Sequence, residues 1–426
     1  MSRHDALPDN TIADAHRSAE PKKRRTLMST ELSPLLTVRR EIGHGFAPDS
    51  ELVRVRDAGE LPQLGLDLPQ YGHFDVTAIT RYDDVRELLG SGDVVMGPSS
   101  EAQTSGTLAN IPGYFIYYDG PEHARIRRMV SRWFTVKNIQ RLRPRIEEIV
   151  NESLDSFEAL GGAGDFFSQF ALHVPTRVIC EILGIPFEDS GDFQQWTLDI
   201  LSLSSATETA ISAVAALRAY LRERVVVAKA TAAARDDLIS ALITENEGEI
   251  TDEEIVGIAM FVLIAGHETT ANAITVGTLA LLEHPDQAAA VRDDDSVVRT
   301  AIEELLRYLS LAVGVHRLVA RDTTIAGRDF SVGERITFSL LAANNDPALV
   351  GDLPELDISR KPVPHVGFGF GIHQCLGQHL ARLELTVAIP AVLRRFPNLR
   401  VTVPAAEIEF RRDAPIYGVA SLPVAW

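Results

Sequence analysis

Cys375 stands in the segment Phe368-Gly369-Phe370-Gly371-Ile372-His373-Gln374-Cys375-Leu376-Gly377, which runs on into the periodic stretch Gln378, Leu380, Ala381, Leu383 and Leu385. Glycines permit positive φ and let the main chain approach a flat ligand closely. A cysteine at the start of the helix that follows gains as a thiolate from the helix dipole and from backbone N–H groups without partners. Bound to a haem iron, such a thiolate pushes electron density onto the metal and favours O–O cleavage. A plain alternative is a glycine-rich turn around an incidental buried cysteine. A dinucleotide loop is excluded, because Gly369 and Gly371 are followed by Gln374 where G-x-G-x-x-G needs glycine.

A second group with chemical potential is Ala265-Gly266-His267-Glu268-Thr269-Thr270, set within an apolar run. Polar residues in a buried helix cost free energy unless partnered. A zinc-protease helix needs H-E-x-x-H, and Ala271 occupies the position of the second histidine. A kink in which threonine bonds back to the preceding turn is also consistent with the pattern. At about 100° per residue, Ile258, Phe261, Val262, Ala265 and Thr269 share one face.

Positioning these groups falls to the elements around them. Thr251-Asp252-Glu253-Glu254 has the form of a capping box with Thr251 as N-cap. An unbroken helix from there to Glu283 has about 29 residues and spans roughly 43 Å. Its apolar character nearly all round predicts burial. Tyr82 to Leu89 and most of the chain to about residue 310 carry helical periodicity, whereas Phe74 to Ile79, the region after about 313 and Ile416 to Trp426 read as extended. The Gly-, Ser-, Thr- and Pro-containing stretch 93–115 reads as a surface loop. Residues 1–40, with Lys22-Lys23-Arg24-Arg25, read as a disordered leader. The fold class expected is mainly α with small β-sheets: one large helical domain over residues 41–426 with a β-rich subregion.

Composition narrows the partners. The chain has 426 residues and a net charge of -18, which argues against nucleic acid and anionic lipid as partners. Two cysteines make no disulfide framework, so a reducing, cytoplasmic compartment is expected. Cys180, in Val178-Ile179-Cys180-Glu181-Ile182-Leu183, reads as a small buried hydrophobe. No secretory segment is evident. The longest apolar run, Ile255 to Gly266, is shorter than the about 20 residues a membrane span needs, so no membrane association is expected.

The cysteine segment resembles the haem-binding signature of cytochromes P450, matching at the phenylalanine, both glycines, the basic residue, the cysteine and the final glycine. The resemblance covers about residue 45 to the C-terminus. His365-Val366-Gly367-Phe368 and Ile416-Tyr417-Gly418-Val419 are similar to the soluble bacterial branch common in actinomycete natural-product pathways. It implies the cytochrome P450 fold, haem b with Cys375 as axial ligand of the iron, and a haem pocket that includes Ala265, Gly266, Phe368, Gly369 and Gly377. Carried over from the family's oxygen-activating motif, Glu268 would relay protons and Thr269 would position oxygen for protonation.

Further roles follow from the same resemblance. Arg127, Arg317, His373 and His123 would contact the haem propionates, His123 and Arg127 from the motif Asp119-Gly120-Pro121-Glu122-His123-Ala124-Arg125-Ile126-Arg127. Glu304 and Arg307, which alone would read as a surface salt bridge, would form a structural pair with Arg360 as third partner; Leu356 stands where an aromatic is usual. Ile258, Phe261, Val262, Ala265, Val313 and Ile416 would wall a hydrophobic substrate, with Leu311 to Val315 nearby. Residues 93–115 and about 190–225 would close over it. The activity implied is monooxygenation by a monomer, inserting one oxygen atom of O2 into a hydrophobic small molecule. Electrons would come from NAD(P)H through a ferredoxin and its reductase. Arg125, Arg128, Arg132 and Arg382 would offer a basic docking patch. A peroxide-driven peroxygenase and a non-catalytic haem sensor are the rival functions.

Overall fold

The computed structural model describes residues 40, 46–68, 72–96, 108–202, 207–231, 235–314, 316–411 and 414–426. The leader expected over residues 1–40 therefore lies outside the described residues except for Arg40, and so does Val315. Fifteen α-helices follow in chain order: α1 Ser50–Ala58, α2 Tyr82–Gly90, α3 Gly120–Ser131, α4 Val136–Arg141, α5 Arg143–Glu158, α6 His173–Leu183, α7 Ser190–Leu201, α8 Thr207–Thr231, α9 Leu238–Glu245, α10 Asp252–Leu282, α11 Pro285–Asp293, α12 Asp295–Leu309, α13 Leu340–Asn344, α14 Pro347–Val350 and α15 Gln378–Arg395.

The strands are short. β1 Gln63–Leu68, β2 Gly72–Ile79, β3 Val94–Val95, β5 Arg317–Val319 and β8 Arg335–Phe338 form one sheet in the order β1-β2-β8-β5-β3. β4 Ala163–Asp165, β9 Arg400–Val401 and β10 Pro423–Ala425 form a second, and β6 Thr323–Ile325 with β7 Arg328–Phe330 a third. The main sheet is antiparallel except for β2 against β8, where Thr77 faces Ile336 and Ile79 faces Phe338. The mainly helical fold with a β-rich subregion is the one expected from the sequence.

Helix α10 organises the rest. Thr251 caps it, accepting from the Glu254 N–H, while the Glu254 side chain accepts from the Thr251 N–H at 2.8 Å. This is the capping box read from the sequence. The helix has 31 residues, about 46 Å at 1.5 Å per residue. It is long and apolar enough to cross a membrane, yet most of it is buried inside the protein, with α6, α8, α12 and α15 packed around it. His267 fits this setting as a buried residue: its Nδ1 lies 2.7 Å from the Leu263 carbonyl and its ring meets Phe193 edge-on.

Glu304 and Arg307 are not a surface pair. Arg307 is fully buried and Glu304 is 4% exposed. Arg307 donates to Glu304 at 2.7 and 2.8 Å, and to the Asn344 carbonyl at 2.8 Å. Arg360 closes the triad, its Nε 3.1 Å from Glu304 Oε1, and reaches the Val350 carbonyl at 3.1 Å. The three side chains thus tie α12 to α13 and to the loop that leads into the cysteine segment. Leu356, where an aromatic was noted as usual, is buried in the core.

Removing one member of a buried charge pair leaves the other uncompensated. Glu304→Ala should therefore cost about 3–5 kcal/mol in urea unfolding. Glu147→Ala, which breaks the exposed i,i+4 pair with Arg143, should cost less than about 0.5 kcal/mol. Equal effects would mean that the triad is not what secures this region.

Candidate active site

The cysteine segment is shaped by backbone bonds that close on themselves. The Cys375 N–H donates to the Phe368 carbonyl at 2.8 Å and the Gln374 N–H to the Gly371 carbonyl at 3.1 Å. Gly369 and Gly371 hold φ of 71° and 74°, the left-handed region that favours glycine. A Cβ on Gly371 would lie 2.2 Å from the Leu89 carbonyl oxygen of α2, so that position also needs glycine for space. A Cβ on Gly369 or Gly377 would meet nothing within 4 Å, because both face a cavity.

Cys375 sits three residues ahead of α15, not at its first turn, and Gly377 is the N-cap. Burial pushes its thiol up; the N–H groups of Gly377 and Gln378 and the charges of Arg127 and Arg382 oppose that without outweighing it. The helix terminus alone therefore does not make a thiolate. Coordination at Sγ would, since a metal ion displaces the thiol proton outright.

The Phe368 ring lies under the Arg382 guanidinium, 4.5 Å from ring centre to Cζ. Arg382 is held by Glu303 at 2.6 Å, and Glu303 also meets His365 Nε2 at 3.2 Å. The Gly367 N–H donates to His365 Nδ1 at 3.1 Å, so the neutral ring carries its proton on Nε2 and donates it to Glu303. Burial pushes the Glu303 carboxyl up, but hydrogen bonds from His365 and Arg382 prevail and hold it at about 2.

Cys375 opens into a cavity of about 370 Å³. One wall is α10, where Phe261, Val262, Ala265, Gly266, Thr269, Thr270 and Ala273 line it. Ala265 is exposed in the middle of this buried helix because the void lies in front of it. Thr269 also lines the cavity while its Oγ1 donates back to the Ala265 carbonyl at 2.7 Å, so the back-bonding turn and the cavity position coexist. Val313, Leu311 and Ile416 supply apolar lining from outside this helix.

Basic groups gather along one side: His123 and Arg127 from α3, Arg317 from β5, and His373 from the cysteine segment. The His123 and His373 rings stand 4.4 Å apart, and Arg127 donates to the Gln374 carbonyl at 2.5 Å. Burial, with His373 and Arg127 close by, pushes His123 down to about 4, and its buried Nε2 has no hydrogen-bond partner. Burial likewise brings Arg317 down to about 10 despite the pull of Asp119. Asp119 faces this cluster, 3.1 Å from His373 Nε2, and accepts the Met96 N–H at 2.9 Å. The result is a mostly apolar slot with a sulfur inside it and an excess of cations along one side, a receptor for a flat apolar ligand with anionic substituents.

The structure brings together most of the residues singled out from the sequence: His123, Arg127, Phe261, Val262, Ala265, Gly266, Thr269, Val313, Arg317, Phe368, Gly369, His373, Cys375, Gly377 and Ile416 all line this cavity. Ile258 does not. It is wholly buried in the core, since the void begins only at Phe261 and helical phase says nothing about where along a helix a cavity starts. Glu268 does not line it either. It borders a separate cavity of about 860 Å³, where it pairs with Arg411. Gly266 lines the cavity, but a Cβ there would meet Ile179 Cδ1 of α6 at 2.7 Å, so its small size serves the approach of two helices.

Two sequence expectations about surrounding segments change. Phe115 and Ile116, in the stretch expected to be a loop, build a wall of the cavity from the 3-10 turn Phe115–Tyr117. The Phe115 ring packs edge-on against Phe261 at 4.7 Å. The aromatic run Tyr114-Phe115-Ile116-Tyr117-Tyr118 was the available signal. Residues 190–225, expected to close over the substrate, form α7 and α8, and only 198–202 reach a cavity, the second one. The basic patch is also mostly engaged internally: Arg125 pairs with Glu254, Arg132 with Glu245 and Arg382 with Glu303, leaving Arg128 exposed.

Comparison with known proteins agrees with this architecture. Residues 70–403 match the family model described as Cytochrome P450. The chain is 40% identical over 359 residues to Cytochrome P450-SU2 of Streptomyces griseolus, covering 82% of this chain and 87% of that one. Among solved structures, CYP105P1 in complex with filipin I aligns with a TM-score of 0.83 at 36% identity, over 95% of this chain and 99% of that one. The mycinamicin VIII C21 methyl hydroxylase from Micromonospora griseorubida, bound to mycinamicin VIII, aligns with a TM-score of 0.82 at 34% identity, over 89% and 97%.

Because Gly266 is packed against Ile179, Gly266→Ala should destabilise the protein by about 1–3 kcal/mol through overpacking. In an Ile179→Ala background the same change should cost much less. A cost that stays the same in both backgrounds would detach Gly266 from the α6–α10 contact.

Proposed function

The chain belongs to the cytochrome P450 family, and from that membership we propose that it hydroxylates a hydrophobic natural product, with Cys375 as the axial ligand of a haem b iron. The family implies an oxidoreductase that carries haem iron and performs O2-dependent monooxygenation. The observation that carries the residue assignment is the meeting, in one apolar cavity, of the Cys375 sulfur, four basic side chains along one side and Thr269 on the α10 wall.

The residues present fit that group. A Cβ at Gly369 or Gly377 would project into the space the macrocycle needs. The orphaned His123 Nε2 and the Arg127, Arg317 and His373 side chains suit its two carboxylates, and the thiol held among the Gly377 and Gln378 N–H groups suits a soft axial ligand. When bound, the haem supplies the redox-active metal that a chain of ordinary side chains lacks.

The chain's own residues supply the rest. N–H groups directed at Sγ withdraw charge from the sulfur and so tune its donor strength. Glu303, His365 and Arg382 keep Phe368 and its carbonyl where the Cys375 N–H needs them. Phe115, Phe261, Val262, Val313 and Ile416 exclude water and hold an apolar substrate by shape, without a buried polar group that would ask for a polar substituent. Thr269 presents its hydroxyl oxygen to the cavity, while Glu268 takes protons from solvent on the other side of α10 and supplies them to the Thr269 side as general acid.

Electrons derive from NAD(P)H and arrive through a ferredoxin and its reductase, and the enzyme works as a cytoplasmic monomer. Hydroxylation is the main outcome and epoxidation a minor one. The relative bound to mycinamicin VIII is a methyl hydroxylase, which supports a natural-product substrate of the same general kind.

The reduced, carbon-monoxide-bound absorption spectrum tests the assignment. The wild type should show the strongly red-shifted Soret band of thiolate-ligated haem, and Cys375→Ala should lose it while remaining folded. A band at the ordinary imidazole position in folded wild type would overturn the ligand assignment and favour a haem sensor. Product formed with hydrogen peroxide alone, and none with NAD(P)H and redox partners, would favour a peroxygenase.

A further inference from the structure

Glu268 and Thr269 are neighbours in sequence but look into different spaces. Thr269 lines the cysteine cavity, whereas the Glu268 carboxylate borders the second, larger cavity. Consecutive helical residues point about 100° apart, so α10 itself forms the partition. The second cavity has a polar lining that includes Asp199, Ser202, Glu407 and Glu409. The Glu268 side chain is only 5% exposed there, because Arg411 pairs with its carboxylate.

Arg411 is firmly placed. Its N–H donates to the Gly418 carbonyl at 2.9 Å, and its guanidinium lies over the Phe167 ring at 4.9 Å. The Phe410–Val419 bridge lies beside it. Asn272, one turn along α10, donates to the Glu268 carbonyl at 2.8 Å and to its carboxylate at 3.3 Å. The same C-terminal segment carries Ile416, which lines both cavities and bridges to Ala312. One piece of chain therefore touches the substrate space with Ile416 and holds the acid with Arg411.

We propose that the second cavity is the route by which solvent protons reach Glu268, and that Arg411 is a positioning residue whose ion pair latches the carboxylate toward that route. With the latch open, a Glu268 carboxylate oxygen accepts a proton from water in the outer cavity. The carboxyl then gives that proton up on the Thr269 side and is regenerated as a carboxylate, so no net charge accumulates. A ligand that displaces Ile416 would pull on the segment that carries Arg411, which links cavity occupancy to the release of the latch. This inference rests on the monooxygenase reading for the destination of the proton, and its first test does not.

That test is carboxyl labelling with a water-soluble carbodiimide and glycine ethyl ester, followed residue by residue by mass spectrometry. In the wild type Glu268 should label slowly. In Arg411→Gln it should label at least tenfold faster, and in Arg411→Lys, which keeps the charge, it should stay close to wild type. Ala420→Trp, at an exposed position on the lining of the outer cavity, should slow the labelling again when combined with Arg411→Gln. Glu384, 1% exposed in α15, should remain unlabelled throughout, which separates a local release from general loosening. Equal Glu268 rates in wild type and Arg411→Gln would overturn the latch, and an Ala420→Trp that changes nothing would overturn the route.

The second measurement is the solvent deuterium isotope effect on O2 consumption by the haem-loaded enzyme with a ferredoxin, its reductase and NADH. It should change in Arg411→Gln relative to wild type and Arg411→Lys. An unchanged isotope effect beside a normal thiolate spectrum would overturn the latch alone, whereas an abnormal wild-type spectrum would overturn the function on which it rests.

Discussion

A sulfur atom held in an apolar interior, without a carboxylate or a firm cationic partner, is the condition to which the rest of this structure answers. Burial raises the Cys375 thiol and the surrounding N–H groups and arginines do not reverse that. Left alone, the site is a buried thiol; it becomes a thiolate when a cation binds to it. The protein's task is therefore to hold the sulfur at a fixed place and to keep water away. The closed loop of Cys375 N–H on the Phe368 carbonyl does the first, the stacking of Arg382 on Phe368 secures that carbonyl, and the buried Glu304-Arg307-Arg360 triad anchors the loop from behind. Each layer of polar interaction is buried more completely than a surface pair would be, and each is satisfied by several partners, which is the circumstance in which buried charge can fix a geometry.

Helix α10 meets the opposite requirement. It is a long apolar rod with a short polar interruption, and the polar groups are handled one by one. His267 turns into the core against Phe193, Thr269 bonds back to its own helix, and Glu268 is drawn to the far side by Arg411 and Asn272. This division leaves the cysteine cavity almost wholly apolar while an ionisable group stands one residue away. An acid placed directly in the cavity would bear a desolvation cost that only a buried counter-charge could offset.

Much of this was legible in the residues. The capping box at Thr251 marked where α10 starts, and its apolar periodicity implied burial; both are seen. The spacing of Phe368, Gly369, Gly371, His373, Cys375 and Gly377 implied a tight loop around a sulfur, and its positive φ values are those that glycine permits. What spacing could not supply was depth. Ile258 shares the helical face of Phe261 and Val262 but lies beyond the end of the void. Glu304 and Arg307 look like any i,i+3 pair until the loop carrying Arg360 folds over them. Arg411, distant in sequence from Glu268 and lacking any motif, carried no signal at all, because its role depends on a tertiary contact between the C-terminal segment and α10. Asp119 was visible as a helix start but not as the residue that His373 and Met96 share.

The composition of the cavity also limits how a substrate can be chosen. Thr269 has given its hydroxyl hydrogen to the Ala265 carbonyl, and the cationic side chains cluster along one side. Few groups remain to read a polar substituent, so selection must come from apolar contact. A methylene more or less in such a pocket is worth about 1–3 kcal/mol. Discrimination between near relatives is therefore modest and depends on rigidity, which here resides in the edge-to-face packing of Tyr114 and Phe115 on Phe261. Of the lining residues, Ile416 belongs to the segment that also carries Arg411, so a change of ligand shape felt at Ile416 reaches the acid before it reaches the sulfur. Shape selection and proton supply are thus read by one stretch of chain, while the thiol and its loop stay the same for every substrate.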